Sequence, residues 1–267
     1  FPAAYAETQA EYMASGKATE QEKLVAGCPE YAFNEYLQIG LEQGLVGLAL
    51  FIGWLGLLFY KGIKSKRYAC CGGLMSLAIF AFSSYPLQLP EFWVVLIFLG
   101  VMSVTPDKDE IRENQAESNG HRWGKQIFFM GIAILGIGLF WMQKDHYKAY
   151  QQWNKAQMFY NNKAYEAALE VYEPLYPLLK HKPEFLFEAA QSLSKTGQYE
   201  KANEYLERAV LLSSDPMLYY VMAKNEQCLG EYRQAEKHLL HAIDILPERI
   251  YPYYLLTVSY THLTLPT

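Results

Sequence analysis

Four long apolar runs, each ended by charged or proline-containing breaks, constrain this chain more than any other feature. They occupy residues 45–60, 68–85, 92–104 and 127–142. A buried helix in a water-soluble protein is also apolar all round. A chain of 267 residues nevertheless has too little other mass to hide four such helices. A bilayer-spanning helix needs about 20 mostly apolar residues, and each run reaches that length with its flanks. The first run extends back to Tyr36 if Glu42 and Gln43 lie within the helix. The sequence therefore predicts membrane helices. Soluble-protein averages hide this, because the 51% hydrophobic content is concentrated before about Met142 and the charged, helix-patterned sequence follows it.

Lysine and arginine in short connections set orientation. Lys61, Lys64, Lys66 and Arg67 crowd the link between the first two runs and place it in the cytoplasm. The next link, "SSYPLQLPE", has neither residue and belongs outside. The third carries Lys108, Arg112, Arg122 and Lys125 and returns to the cytoplasm. The N-terminal stretch and everything after the fourth run are then expected on the outer side, the periplasm of a Gram-negative cell. Gly40, Gly44 and Gly47 in the first run, and Gly131, Gly136 and Gly138 in the fourth, are expected to let helices approach closely.

The segment beyond the membrane repeats itself. "NKAYEAALEVYEPL", "TGQYEKANEYLERA" and "LGEYRQAEKHLLHA" align on Tyr165, Tyr199 and Tyr232, which are 34 and 33 residues apart. Three residues beyond each tyrosine stand Ala168, Ala202 and Ala235, and nine before each stand Ala156, Ala190 and Ala223. Ten residues after come Leu175, Ala209 and Ala242. Gly197 and Gly230 occupy the turns, with Lys163 in the first repeat. This period, with small residues where two helices cross, is the tetratricopeptide (TPR) pattern. Such helix pairs stack into a superhelix with a concave docking surface. Tyr253, Leu256 and Tyr260 begin a further helix in register, whereas Thr264 and Pro266 fall where its turn should come.

The expected fold is all-α: a polytopic membrane helix bundle followed by a TPR-like α-solenoid. The expected domains are an outer loop over residues 1–33, three membrane helices within 34–104 and a cytoplasmic loop over 105–126. A fourth span over 127–143, periplasmic repeats over 144–258 and a non-native or truncated tail over 259–267 complete the chain. Because it opens on Phe1 rather than Met, the sequence reads as a piece of a longer protein. A net charge of -5 argues against nucleic acid as a partner. The four cysteines show no metal-ligand spacing, so neither a metal nor a cofactor is expected.

Ahead of the first run the chain reads "EYAFNEYLQIGLEQGLVGLALF", carrying Asn34, Glu35 and Glu42 to the mouth of a membrane helix. Ionisable groups at membrane depth are costly and mark functional sites by default. On a helix starting near Asn34, Glu35 and Glu42 lie two turns apart on one face, so both could meet a single aqueous cleft. Asn34 also suits a helix N-cap. Tyr5, in "AAYAETQAEYM", is expected on the same outer side, where aromatic rings stack on sugars.

This stretch resembles the O-antigen ligase and O-antigen polymerase family of membrane proteins. The matching positions are Phe33 and Asn34, then Tyr36 and Leu37, then Glu42, Gly44 and Gly47. The resemblance spans about residues 1–104 and includes "FSSYPLQLPEFW". It implies a glycosyltransferase that moves glycan from a polyprenyl-diphosphate carrier to a glycan or lipid acceptor on the periplasmic face of the inner membrane. Ligase and polymerase both remain open. The family carries His where Phe33 stands, and Phe takes no proton, so base catalysis would pass to Glu42 or Glu35, with Asn34, Tyr36 and Tyr5 lining the substrate site. The family's arginines have no counterpart in residues 1–60. The alternative, from a different class, is a non-catalytic, membrane-anchored TPR scaffold that recruits a protein partner for envelope polysaccharide assembly.

Overall fold

The computed structural model describes residues 1–105, 130–131, 134–138 and 140–264. Every regular element among them is helical. In chain order these are α1 (Pro2–Ala14), α2 (Glu20–Val25), α3 (Glu35–Lys64), α4 (Tyr68–Ser83) and, after a 3₁₀ turn at Pro86–Gln88, α5 (Pro90–Val104). Then follow α6 (Lys144–Asn161), α7 (Tyr165–Leu179), α8 (Pro183–Lys195), α9 (Tyr199–Val210), α10 (Met217–Leu229), α11 (Tyr232–Ile245) and α12 (Ile250–Thr264). The helices fall into two compact units, one built on α3–α5 and one combining Pro2–Glu30 with the helices from α6 onward.

In the first unit, α3 begins where Asn34 leaves the helical region and its side chain accepts the Leu37 N–H at 3.0 Å. Lys61 and Lys64 close it, complementing the helix dipole. One helix was expected here, but the structure shows two pieces. Gly44 has φ 73° and ψ 179°, which interrupts the hydrogen-bond ladder. The piece after the break rises about 30 Å, the thickness of a bilayer's hydrocarbon core.

Among the described residues, Gly40, Gly44 and Gly47 meet no second helix. A Cβ added at Gly47 would meet Gln43 of the same helix, and one at Gly40 would meet Leu48. At Gly131, Gly136 and Gly138 it would meet nothing within 4 Å among the described residues. The glycines at which helices touch are Gly62, whose added Cβ would lie 2.6 Å from Cys71 Sγ, Gly73 against Leu99, and Gly100 against Leu58.

Ile39, Leu58, Leu74, Leu87 and Leu96 form the small core of this unit. Leu45, Val46, Leu57, Ile79, Phe82, Val94, Ile97 and Phe98 all face outward. Such a continuous apolar exterior suits lipid and would be an aggregation liability in water. Of the described helices, α3 is long and apolar enough to cross a membrane, while α4 and α5 are apolar but shorter. The loop expected over 105–126 and most of the span expected over 127–143 lie outside the described residues.

In the second unit, the pairs α6–α7, α8–α9 and α10–α11 stack in sequence. Each pair turns through a left-handed residue: Lys163 (φ 60°), Gly197 (φ 83°) and Gly230 (φ 81°). The residue after each donates its N–H back over the turn: Ala164 to Phe159 O (2.9 Å), Gln198 to Leu193 O (2.9 Å) and Glu231 to Glu226 O (2.8 Å). This is the helix-terminating arrangement that favours glycine. The alanines of the repeat are fully buried at 0% exposure, and Leu175 is nearly so at 3%. Between the first two repeats, the Glu188 carboxylate accepts from Trp153 Nε1 (2.7 Å), Gln157 Nε2 (2.8 Å) and the Tyr172 hydroxyl (3.0 Å).

Within residues 1–33, expected as an outer loop, Pro2–Glu30 carry α1 and α2 and belong to the repeat unit. Ala6 and Ala10 bury against Ile245 and Leu246 at the end of α11. Gln9 Nε2 donates to Ile245 O at 2.7 Å and to Gly27 O at 3.1 Å. At the other end, α12 continues past residue 259. Ser259 is buried and accepts from Gln227 Nε2 at 2.9 Å, and His262 stacks on Tyr232.

Candidate functional site

The helix mouth gathers Asn34, Glu35, Tyr36 and Glu42 within the first unit, and Tyr5 lies on α1 of the second. Asn34 spends both ends of its amide on structure. Its oxygen caps α3, and Nδ2 donates to Phe82 O at 2.9 Å. The Tyr36 hydroxyl donates to Ala78 O at 3.0 Å, a second tie from α3 to α4.

Glu35 is 2% exposed, and its Oε2 accepts the Leu87 N–H at 3.3 Å. Glu42, on the same side of the helix two turns later, is exposed. The two differ because the 3₁₀ turn covers the start of α3 and ends before its second turn. Phe33 packs edge-on against Tyr85 at 5.5 Å, with Tyr31 stacked on the same ring.

Sequence reasoning missed Gln38. It is 1% exposed, accepts the Ala32 N–H at 2.8 Å and donates from Nε2 to Glu42 Oε1. It thus couples the loop before the helix to the outer carboxylate. The signal was present, for Gln38 lies three residues after Glu35 and four before Glu42. Among the described residues, no cluster of three or more His, Cys, Asp or Glu side chains is placed to hold a metal.

The repeat unit offers a groove instead of a cleft. The first helices of successive pairs, α8, α10 and α12, line a cavity of about 400 Å³ through Gln191, Lys195, Val221, Lys224, Asn225 and Tyr251. Lys195 and Lys224 make no ion pair among the described residues. Asn225, 2% exposed, is fixed by donating to Asn203 Oδ1 at 2.8 Å, which ties the groove's floor to the preceding repeat.

The family described as "Anaphase-promoting complex, cyclosome, subunit 3" matches residues 161–242, from the end of α6 through most of α11. The second unit is built of TPR-like helical repeats. Among solved structures, the type III secretion translocator chaperone SycD of Yersinia enterocolitica is similar at 19% identity and a TM-score of 0.40, over 44% of this chain and 95% of its own. The first TPR of Spaghetti, bound to an HSP90 peptide, is similar at 17% identity and a TM-score of 0.41, over 44% and 94%. The Sgt2 TPR domain from Aspergillus fumigatus is similar at 17% identity and a TM-score of 0.39, over 43% and 79%. No curated protein matches the chain.

Proposed function

We propose that the chain is a membrane-anchored TPR scaffold that holds an acidic, extended segment of a partner protein in the groove of its repeats. The observation that carries this reading is the groove itself: a concave cavity on the first helices of the repeats, bearing two unpaired lysines and a buried, oriented asparagine. Unpaired lysines attract carboxylates and speed encounter with an acidic partner. Stacked helix pairs hold their concave residues rigidly, which lowers the ordering cost of docking. The apolar exterior of α3–α5 supplies the anchor, in a bacterial inner membrane with the repeats on its periplasmic side.

A photo-crosslinking residue at Val221 in the full-length protein tests the reading. One partner should be captured, and the pair Lys195→Glu and Lys224→Glu should abolish capture while helix content and membrane insertion stay unchanged. Undiminished capture by the double variant would sink it.

A second reading, glycan ligase or polymerase chemistry, is favoured by one observation: a carboxylate as deeply buried as Glu35 at the mouth of an apolar helix broken at Gly44. Broken helices at membrane depth occur where backbone lines a cavity or is buried in protein. On this reading, Glu42 or Glu35 activates an acceptor hydroxyl for attack on a polyprenyl-diphosphate-linked glycan, while Asn34 and Tyr36 shape the mouth through α4. In the full-length gene, Glu42→Gln and deletion of residues 150–267 separate the two. Surface polysaccharide lost with Glu42→Gln alone supports chemistry, and loss with the deletion alone supports scaffolding.

A further inference from the structure

The groove ends against the chain's own N-terminal segment. Met217, Tyr220 and Tyr251 line both the groove and an adjoining space of about 600 Å³, and Gly27, Cys28 and Glu30 wall that space. The groove follows α10 from Cys228 to Met217, a length that roughly five residues of extended chain would span. A longer docked segment leaving by the N-terminus of α10 meets residues 27–30.

Those residues form a strap that is itself an acidic, extended segment docked on the repeats. After α2 the chain takes up no regular structure, with Ala26 at φ −56° and ψ 133°. Ser213 and Ser214, in the connection before α10, are buried at 9% and 2% exposure. The Glu30 carboxylate accepts from Ser213 Oγ at 2.8 Å and from Ser214 Oγ at 3.4 Å, and Pro29 O lies 3.2 Å from the same Ser214 hydroxyl. Two buried hydroxyls of the repeats thus find their acceptors on a carboxylate and a carbonyl of one extended strand. An acidic partner segment carries the same two groups.

The N-terminal segment is held unevenly. Ala6 and Ala10 bury α1 against α11, Gln9 donates to Ile245 O, and Ala26 and Cys28 pack at the edge of that contact. Past Cys28 the hydrogen bonds are those of the two serines, and Glu30 is exposed. A hydrogen bond to an exposed carboxylate exchanges for water or for another acid at small net cost. Pro29 and Glu30 are therefore able to lift away while α1 stays docked.

We propose that residues 27–30 are an autoinhibitory strap: Glu30 holds Ser213 and Ser214 in place of a partner carboxylate, and the partner displaces it on docking. The inference rests on the docking reading given above. It requires a further acid in the partner, beyond those that meet Lys195 and Lys224.

The test uses the full-length protein in a cysteine-free background, with the photo-crosslinking residue at Val221. Pro29→Cys with Ser214→Cys sets two thiols where strap and repeat touch, so oxidation locks the strap and a reductant frees it. The locked protein should capture about tenfold less partner than the same protein reduced. Glu30→Ala should raise capture severalfold and speed hydrogen exchange at residues 27, 28 and 30 while α1 stays protected. Thiols that resist oxidation, equal capture in the oxidised and reduced states, unchanged capture with Glu30→Ala, or exchange in α1 that rises with the strap's would each overturn the inference. Capture that depends on Lys195 and Lys224 but not on the lock removes the inference alone. No capture at Val221 in any variant removes the docking reading and the inference together.

Discussion

Lys163 holds φ 60° at a turn where the next two repeats place glycine. A residue with a Cβ costs about 1–2 kcal/mol in the left-handed region. Glycine's greater freedom in the unfolded chain offsets part of that. Lys163→Gly is therefore expected to stabilise the repeat unit by about 0.5–1 kcal/mol, and Gly197→Ala and Gly230→Ala to destabilise it by a similar amount. Urea denaturation followed by circular dichroism measures both, and a Lys163→Gly protein with a lower midpoint would contradict the turn geometry. Buried phenols set the behaviour of the same unit in alkali. Burial, reinforced by Tyr176, Glu173 and Glu204, pushes Tyr205 up from 10.0 to about 12, and burial beside Glu188 pushes Tyr172 up as well. Below pH 10 both states keep these protons, so the stabilisation is fully present. Between pH 10 and 12 the unfolded chain releases protons that the folded one retains, and stability falls by about 1.4 kcal/mol per pH unit for each such phenol. Tyr205→Phe should make the decline of stability between pH 10 and 12 shallower by that amount, read from urea midpoints at stepped pH.

What could be read from the sequence depended on how far apart the partners of each element lie. The TPR pairs were legible because Ala156, Ala190 and Ala223 recur at the offsets where neighbouring helices cross, and all three are fully buried. The packing of α1 was not legible. Its anchors are only Ala6 and Ala10, and their partners Ile245 and Leu246 lie at the far end of the chain, so no local period records the contact. At the helix mouth the seven-residue spacing of Glu35 and Glu42 could be read, but not their unequal burial, which a 3₁₀ turn some 50 residues later imposes. The break at Gly44 was hidden because glycine in an apolar run carries the same signature whether it packs or kinks. The two uses separate by substitution. Gly62→Val would drive a Cβ to 2.6 Å from Cys71 Sγ and is expected to cost about 1–3 kcal/mol, whereas Gly56→Val, on the same helix, meets nothing within 4 Å among the described residues and should be nearly silent. Thermal melting of the two variants in detergent compares them directly, and equal losses would show that Gly62 is not where the helices meet.

At the scale of the whole molecule, the burial of α1 against α11 limits how the chain crosses a membrane. Ala6 and Ala10 can pack on Ile245 and Leu246 only if residues 2–30 and the repeats share one aqueous compartment. Any crossings between residues 31 and 143 must then be even in number. If α3, α4 and α5 each cross once, a further crossing has to follow them, and residues 127–143 hold the one remaining apolar run of suitable length. If α3 crosses once, the lysine- and arginine-rich link after it is expected on the side opposite residues 2–30, as the charge rule requires. In a cysteine-free background, Glu20→Cys and Lys237→Cys, both at exposed positions, should react together with a membrane-impermeant maleimide added to cells with a permeabilised outer membrane. Lys64→Cys should react only after the inner membrane is opened as well. Labelling that separated positions 20 and 237 would mean that α1 cannot reach α11 in the membrane, and the even crossing number would fall with it.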